Sequence, residues 1–131
     1  MRLKTFDRVI IVIALMAIMI TAAFSVSASS SYQSTLSLGA GNAFWGSLRS
    51  YDGEGNLRIR FTGSGSEGNW GQNVIEPYER ILGFDWACGY QYVGTSADAT
   101  WTNCPTGKYK FYFYNNGTTE WNSNAVYMTS W

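Results

Sequence analysis

The chain has 131 residues, with nine Lys and Arg against nine Asp and Glu, and it contains no histidine. This length supports one domain of ordinary size. From Ser29 onward, eight acidic residues stand against six basic ones, which argues against a nucleic-acid binder that works by neutralising phosphates. The absence of histidine excludes Ser-His-Asp and Cys-His nucleophiles and removes the commonest metal ligand. We therefore expect no metal and no cofactor.

The first 28 residues differ in character from the rest of the chain. Three basic residues precede an almost unbroken apolar run from Val9 to Phe24, and small residues follow it. This pattern predicts a helical signal peptide over residues 1–28, followed by a single secreted or extracytoplasmic domain over residues 29–131. The alternative is an uncleaved membrane anchor, because the run approaches the ~18 residues that a spanning helix needs. The long apolar region favours a bacterial source.

The predicted export of the domain determines the state expected for its two cysteines. An even number of thiols in an oxidising compartment predicts a disulfide between Cys88 and Cys104. Closing a loop of this length contributes about 3 kcal/mol in the chain-entropy account. The alternative is a pair of free thiols. A zinc site is disfavoured, since two sulfurs without histidine fall short of a tetrahedral ligand set.

Alternation of apolar and polar residues recurs along residues 29–131, whereas helical spacing is hard to find. The clearest alternating runs are Asn56–Thr62, Lys108–Tyr114 and Ala125–Trp131. Shorter segments of strand-like composition, separated by Gly, Asn, Asp and Ser clusters, bring the total to about seven or eight short strands. The sequence therefore predicts an all-β fold, a small antiparallel β-sandwich or squat barrel, after the N-terminal signal helix.

Local signals suggest how some strands connect. A Gly-rich acidic turn joins Ala43–Tyr51 to Asn56–Thr62, so we expect these two runs to form a hairpin. Asn116-Gly117, which follows the second alternating run, favours a type I′ turn. A helix over Val74–Leu82 is the one helical possibility, but Pro77 would break or kink it.

Exposed aromatic residues are the candidate ligand contacts. Trp70 belongs to a loop with four glycines, which suggests a displayed indole; the alternative is a lid folded over the core. Tyr112 and Tyr114 lie on the polar side of their strand, and Trp131 could lie alongside on the last strand. The alternative for these rings is ordinary cross-strand packing.

Flat rings with polar neighbours suit sugars, because a pyranose stacks its CH face on the ring while its hydroxyls meet polar side chains. We therefore predict a secreted, non-catalytic protein that binds cell-envelope or environmental glycan through Trp70, Tyr112, Tyr114 and Trp131. One alternative is an antagonist of a foreign protein or cell, either a bacteriocin-like toxin or an enzyme inhibitor. The other is a self-associating structural or matrix protein. We expect no nucleic-acid partner, and no membrane contact once the leader is cleaved.

Carboxylates leave one catalytic alternative open. Glycoside hydrolysis can run on two carboxylic acids without histidine. Glu76, Glu79 and Asp85 lie close together in the sequence, and Asp52 and Glu54 share a turn. Neither spacing is diagnostic, so we assign no catalytic residue.

Overall fold

The computed structural model describes residues 29–131, which form eleven β-strands in two antiparallel sheets. Sheet 1 has the order β1-β11-β4-β9 with β5 beside β11, and its strands are β1 (Ser30–Leu38), β4 (Gly55–Phe61), β5 (Ser64–Gly65), β9 (Ala97–Cys104) and β11 (Trp121–Ser130). Sheet 2 has the order β2-β10-β6-β7, with β3 beside β10 and β8 beside β6. Its strands are β2 (Ala43–Trp45), β3 (Arg49–Tyr51), β6 (Asn73–Ile81), β7 (Phe84–Ala87), β8 (Gln91–Val93) and β10 (Gly107–Tyr114).

The predicted all-β class and antiparallel pairing are confirmed for the described residues. The predicted number of strands is too low, because several strands span only two to four residues and leave no alternation to detect. The signal peptide and its helix were predicted for residues 1–28, which lie outside the described residues. Within residues 29–131, no helix is long and apolar enough to cross a bilayer.

One core lies between the sheets, and the three alternating runs supply much of it. Their inward side chains are all buried: Leu57, Ile59 and Phe61 of β4, Tyr109, Phe111 and Phe113 of β10, and Val126 and Met128 of β11. Trp101 and Trp121 lie among them. The Trp101 ring meets Phe111 edge-on at 5.9 Å, and the Trp121 ring meets Phe113 edge-on at 6.3 Å. In so small a domain, these rings supply bulk that aliphatic side chains alone would not.

The polar atoms of three core rings extend out of the core to the loops. Each ring donates its hydrogen to a backbone carbonyl: Tyr109 Oη to Pro105 at 2.6 Å, Trp101 Nε1 to Gly89 at 2.7 Å, and Trp121 Nε1 to Thr95 at 2.7 Å. A buried hydroxyl or indole N–H without a partner would destabilise the fold by roughly 1–3 kcal/mol. These bonds therefore tie the position of three loops to the packing of the core.

The predicted hairpin and the predicted type I′ turn are both wrong. The strand β3 pairs with β10 in sheet 2, whereas β4 belongs to sheet 1, so the acidic turn between them crosses from one sheet to the other. The strands β10 and β11 also lie in different sheets. Asn116 and Gly117 do not adopt the positive φ values that a type I′ turn requires. Local turn signals failed here because each run is followed by a strand of the opposite sheet, while its hydrogen-bonded partners lie far away in the sequence.

The segment with a possible helix is the strand β6, and it accommodates Pro77 at a gap in the sheet. The Pro77 carbonyl accepts a hydrogen bond from the Cys88 N–H at 2.9 Å. The backbone of Pro77 therefore faces the gap between β7 and β8, which pair with β6 on either side of this residue. A missing N–H is tolerated at such a break in the ladder.

The predicted disulfide is not present: Cys88 and Cys104 are both free thiols, and their sulfurs are not at bonding distance. Cys88 follows β7 in sheet 2, whereas Cys104 ends β9 in sheet 1. Each sulfur lies near the carbonyl oxygen two residues before it, at 4.0 Å from Trp86 O for Cys88 and 3.7 Å from Thr102 O for Cys104. The interaction with the Cys104 thiol raises the pKa of Cys88, and the interaction with the Cys88 thiol lowers the pKa of Cys104.

A buried polar network holds the loops at the end of the domain where β1 leaves sheet 1. The Ser66 hydroxyl lies 2.9 Å from Asn73 Oδ1 and 2.7 Å from Asn115 Oδ1. Asn115 Nδ2 donates to the carbonyls of Leu38 and Thr119, both at 2.9 Å. Because Asn73 and Asn115 are fully buried, these amides must find protein partners, and they cross-link loops from four parts of the chain.

We expect Asn115→Asp to lower the free energy of unfolding by about 3 kcal/mol. The substitution replaces the Nδ2 donor by an oxygen that faces the carbonyls of Leu38 and Thr119 in a buried site. Urea unfolding measures the change. The matched control is Asn124→Asp, on an exposed position of β11, which should remain within about 0.5 kcal/mol of the wild type. Equal stability of the two variants would contradict a structural role for this amide.

Candidate ligand-binding face

The outward side of sheet 2 is covered by aromatic rings rather than by the small polar residues typical of a solvent-exposed sheet face. We call this surface the aromatic face, and its rings are Trp45, Tyr78, Tyr90, Tyr92, Tyr112 and Tyr114. Strand register places them: Trp45 lies opposite Tyr112, and Tyr114 and Tyr92 flank Val74 from either side.

Three rings form a cluster at the centre of this face. The centroid of Trp45 lies 4.8 Å from that of Tyr78 and 4.9 Å from that of Tyr112, with the ring planes steeply inclined. Tyr78 and Tyr112 meet edge-on at 6.4 Å. Lys110 Nζ lies 4.5 Å from the Trp45 centroid, a cation–π contact. These contacts hold the rings in place, while 45% of Trp45 remains exposed to solvent.

Charged groups lie among the rings and are largely neutralised by each other. Asp85 accepts from Arg80 Nε at 2.6 Å and from Lys110 Nζ at 2.8 Å. The hydrogen bond from Arg80 and then that from Lys110 hold the pKa of Asp85 below its usual range. Glu76 accepts the Tyr78 hydroxyl proton at 2.7 Å, and this hydrogen bond raises the pKa of Tyr78 to about 12. The face thus offers fixed donors and acceptors beside apolar rings.

A break between β2 and β3 determines which ring faces outward. The Gly46 N–H donates to Phe111 O at 2.8 Å, where the chain leaves the alternation that its sequence suggests. Beyond the break the phase is reversed: Trp45 is exposed on the outward face, whereas Tyr51 is buried in the core.

The four ligand-binding residues predicted from the sequence do not form one site. Tyr112 and Tyr114 lie on the aromatic face, both half-buried. Trp70 lies in a turn at one end of the domain and is 91% exposed, so the alternative that it folds back as a lid is wrong. Trp131 follows β11 at the opposite end. Because β10 and β11 belong to different sheets, Trp131 cannot lie alongside the tyrosines of β10.

Sequence reasoning missed Trp45, Tyr78, Tyr90 and Tyr92, and it considered Glu76 only as a catalytic carboxylate. Interpreting Pro77 as the break of a helix concealed the alternation of β6, which places Tyr78 and Glu76 on the outward side. Tyr90 and Tyr92 follow a short irregular segment, and their rings meet edge-on at 5.2 Å. A strand assignment for β6 would have placed Tyr78 and Glu76 on the outward side.

Of the five carboxylates considered for catalysis, Asp52 and Glu54 lie in the turn between β3 and β4. The other three are divided between the two sides of sheet 2. Glu76 lies opposite Tyr112 on the aromatic face, whereas Glu79 lies opposite Tyr109 on the inward side. Asp85 shares the outward side with Glu76 but is held by its two cationic partners. Glu79 is therefore not available to act together with either of the others on one face.

The outward side of sheet 1 has a different chemistry. A shallow groove of about 450 Å³ on it is lined by Arg58, Arg60, Tyr127 and threonines. Arg58 binds Asp98 through two hydrogen bonds of 2.8 Å each. Tyr127 is the one aromatic side chain in that lining that faces outward. A substitution of Tyr127 can therefore serve as a control for substitutions on the aromatic face.

No protein-family model matches this chain, and no curated protein does. The Yersinia pseudotuberculosis-derived mitogen is similar in structure, with 9% identity and a TM-score of 0.42 over 79% of this chain and 84% of that chain. The C-terminal CBM6 of LamC, a marine laminarinase from Zobellia galactanivorans, has 18% identity and a TM-score of 0.38 over 78% of this chain and 99% of that chain. A de novo designed double-stranded β-helix has 7% identity and a TM-score of 0.34 over 76% and 96%. At these identities and TM-scores, the likeness assigns neither a family nor a function.

We expect Glu76→Gln to return the pKa of Tyr78 from about 12 towards 10.0. The folded protein holds this phenol proton more tightly than the unfolded chain does. The associated stability is therefore fully present below about pH 10 and is lost as the pH rises through about 12. Ultraviolet absorbance of phenolate, titrated for the wild type and the variant, should show one tyrosine shifted to lower pH. Glu67→Gln, far from this face, is the control, and identical curves for wild type and Glu76→Gln would refute the assignment.

Proposed function

We propose that this protein is a non-catalytic module that acts outside the cytoplasm and binds glycan chains through the aromatic face. The observation that carries the proposal is the cluster of Trp45, Tyr78 and Tyr112, whose rings are held by one another on an open sheet surface. The apolar leader predicted for residues 1–28 supports the location.

An exposed aromatic cluster has no advantage for solubility, so its position on a sheet surface suggests a ligand. A sugar offers an apolar CH face for the rings and hydroxyls for the groups between them. Glu76, Lys110 and Asp85 are spaced among the rings and fixed by hydrogen bonds or ion pairs. Because neighbouring side chains already restrain the rings, binding would lose little conformational freedom, which favours affinity.

The charges of the face favour an uncharged or weakly charged glycan. Asp85 is shared by Arg80 and Lys110, and Glu76 is bound to the Tyr78 hydroxyl. A polyanion would have to compete with these existing partners. Neutral polysaccharides and the peptidoglycan backbone are therefore the ligand classes to test first.

Retention on insoluble chitin, cellulose and peptidoglycan tests the proposal. We expect retention of the wild type on at least one of them, and a loss of affinity of about tenfold for Trp45→Ala or Tyr112→Ala, since removal of one stacking ring typically weakens binding by about 1.4 kcal/mol. Tyr127→Ala removes a comparably exposed ring from sheet 1 and should bind as the wild type does. Trp70→Ala tests the loop tryptophan separately.

Two results would overturn the proposal: no retention on any of the three polysaccharides, or equal retention of the wild type and the Trp45→Ala and Tyr112→Ala variants. Concentration-dependent assembly on a sizing column, abolished by Trp45→Ala, would instead assign the face to self-association. Growth inhibition by the purified protein without polysaccharide binding would favour an antagonistic role.

A further inference from the structure

The hairpin that joins β6 to β7 projects beyond its neighbours in sheet 2. Ile81 pairs with Phe84 across the two-residue turn Leu82-Gly83. On the other side of β6, the pairing with β10 ends where Arg80 lies opposite Lys108. Because β10 begins one residue earlier, at Gly107, the turn Leu82-Gly83 extends past the end of β10.

Leu82 is unusual in this turn, because both its backbone conformation and its exposure to solvent are unfavourable for leucine. Leu82 has φ +52° and Gly83 has φ +82°, as in a type I′ turn, where Asn, Asp or Gly is favoured at the first position. A leucine is strained in this left-handed region. Leu82 is also 92% exposed to solvent. A strained and exposed leucine adds nothing to the stability of the domain, so this position suggests contact with something outside the chain.

Three other apolar side chains accompany Leu82. Phe84 is 69% exposed, Trp86 is 60% exposed and Ile81 is 44% exposed. Strand register places Phe84 and Trp86 on the same side of the hairpin as Ile81. We call Ile81, Leu82, Phe84 and Trp86 the apolar tip.

The chain enters the domain at the same end as the apolar tip. Arg80, Lys108 and Ser50 form one cross-strand row of sheet 2, next to the tip. Two residues after Ser50, the Asp52 N–H donates to Ser30 Oγ at 2.9 Å, at the start of β1. The first strand and the apolar tip therefore share one end of the domain.

The apolar run Val9–Phe24 lies immediately before this point in the sequence. The five residues from Ser25 to Ser29 span at most about 17 Å when extended. A bilayer that holds the apolar run would therefore lie close to the end of the domain that bears the apolar tip.

We propose that the apolar tip is an interfacial anchor that inserts into the surface of a lipid bilayer. Leucine, isoleucine and phenylalanine side chains would enter the boundary of the acyl region, and the Trp86 indole would lie at the level of the headgroups, where tryptophan is enriched. Contact with a bilayer removes from water the exposed apolar surface that the domain itself leaves uncovered. This departs from the expectation that the domain makes no membrane contact once the leader is cleaved.

Charge near the tip indicates which lipids it suits. Arg80 and Lys110 share Asp85 at 2.6 and 2.8 Å, and Lys108 is exposed beside them. The turn with Asp52 and Glu54 at the same end supplies two more carboxylates, so three cations stand against three carboxylates. Attraction to anionic lipid is thus not the driving force. Binding should occur on zwitterionic phosphatidylcholine, should not increase with anionic lipid, and should change little with salt.

Co-flotation with phosphatidylcholine vesicles tests the anchor. The protein freed of its leader, residues 29–131, contains every strand and the whole core described above, and its thermal melting confirms folding for each variant. The wild type should float with the vesicles. Leu82→Asn should weaken partitioning about tenfold, because the loss of one buried apolar side chain corresponds to at least that factor. The same variant should melt no lower than the wild type, since asparagine suits the turn.

Trp70→Asn is the matched control. Trp70 is also followed by glycine in a turn with positive φ and is equally exposed, but it lies at the opposite end of the domain. Trp70→Asn should therefore float as the wild type does, and so should Trp45→Ala, which separates this test from that of the aromatic face. Failure of the wild type to float, or equal flotation of Leu82→Asn and Phe84→Thr with the wild type, would overturn the proposal.

Discussion

The fold depends on a constraint in its core: large rings fill the space between the sheets, and their polar atoms must still find partners. Tyr109, Trp101 and Trp121 meet both demands by packing inward while donating to loop carbonyls. A shift of strand register by one residue would remove a ring from the core and also break a loop contact. The arrangement of the outward side chains follows from this inward constraint, because alternate positions on the same strands must then face solvent.

Alternation in the sequence predicted the inward and outward sides of β4, β10 and β11, since that property is local to each strand. It did not predict which strands pair, because partners are chosen by burial across the core and lie far apart in the chain. Trp45 and Tyr51 illustrate the difference. Uninterrupted alternation places them on the same side, but the break after β2 reverses the phase and leaves one exposed and the other buried. The candidate site was predicted only where it lies on β10, because its other rings depend on this break and on a strand that contains proline.

Two turns of this domain place a large apolar side chain before glycine in the left-handed region. Trp70-Gly71 and Leu82-Gly83 have similar φ values, and both large side chains are almost fully exposed. The glycine is the local signal for the turn, but the residue before it runs against turn chemistry. The two lie at opposite ends of the domain, so a single flat surface could not contact both. The aromatic face lies along the flank between these ends and would remain accessible to a ligand when either end is occupied.

The pairing of the first and last strands has a mechanical consequence. Ser30 lies opposite Ser130 in an antiparallel pair, so the points at which the chain enters and leaves the domain are adjacent. A load applied between these points would peel β1 from β11 one hydrogen bond at a time, rather than shear the whole ladder at once. The domain would yield to such traction at low force from that edge. It would resist far better a pull between the N-terminal strand and a loop at the other end.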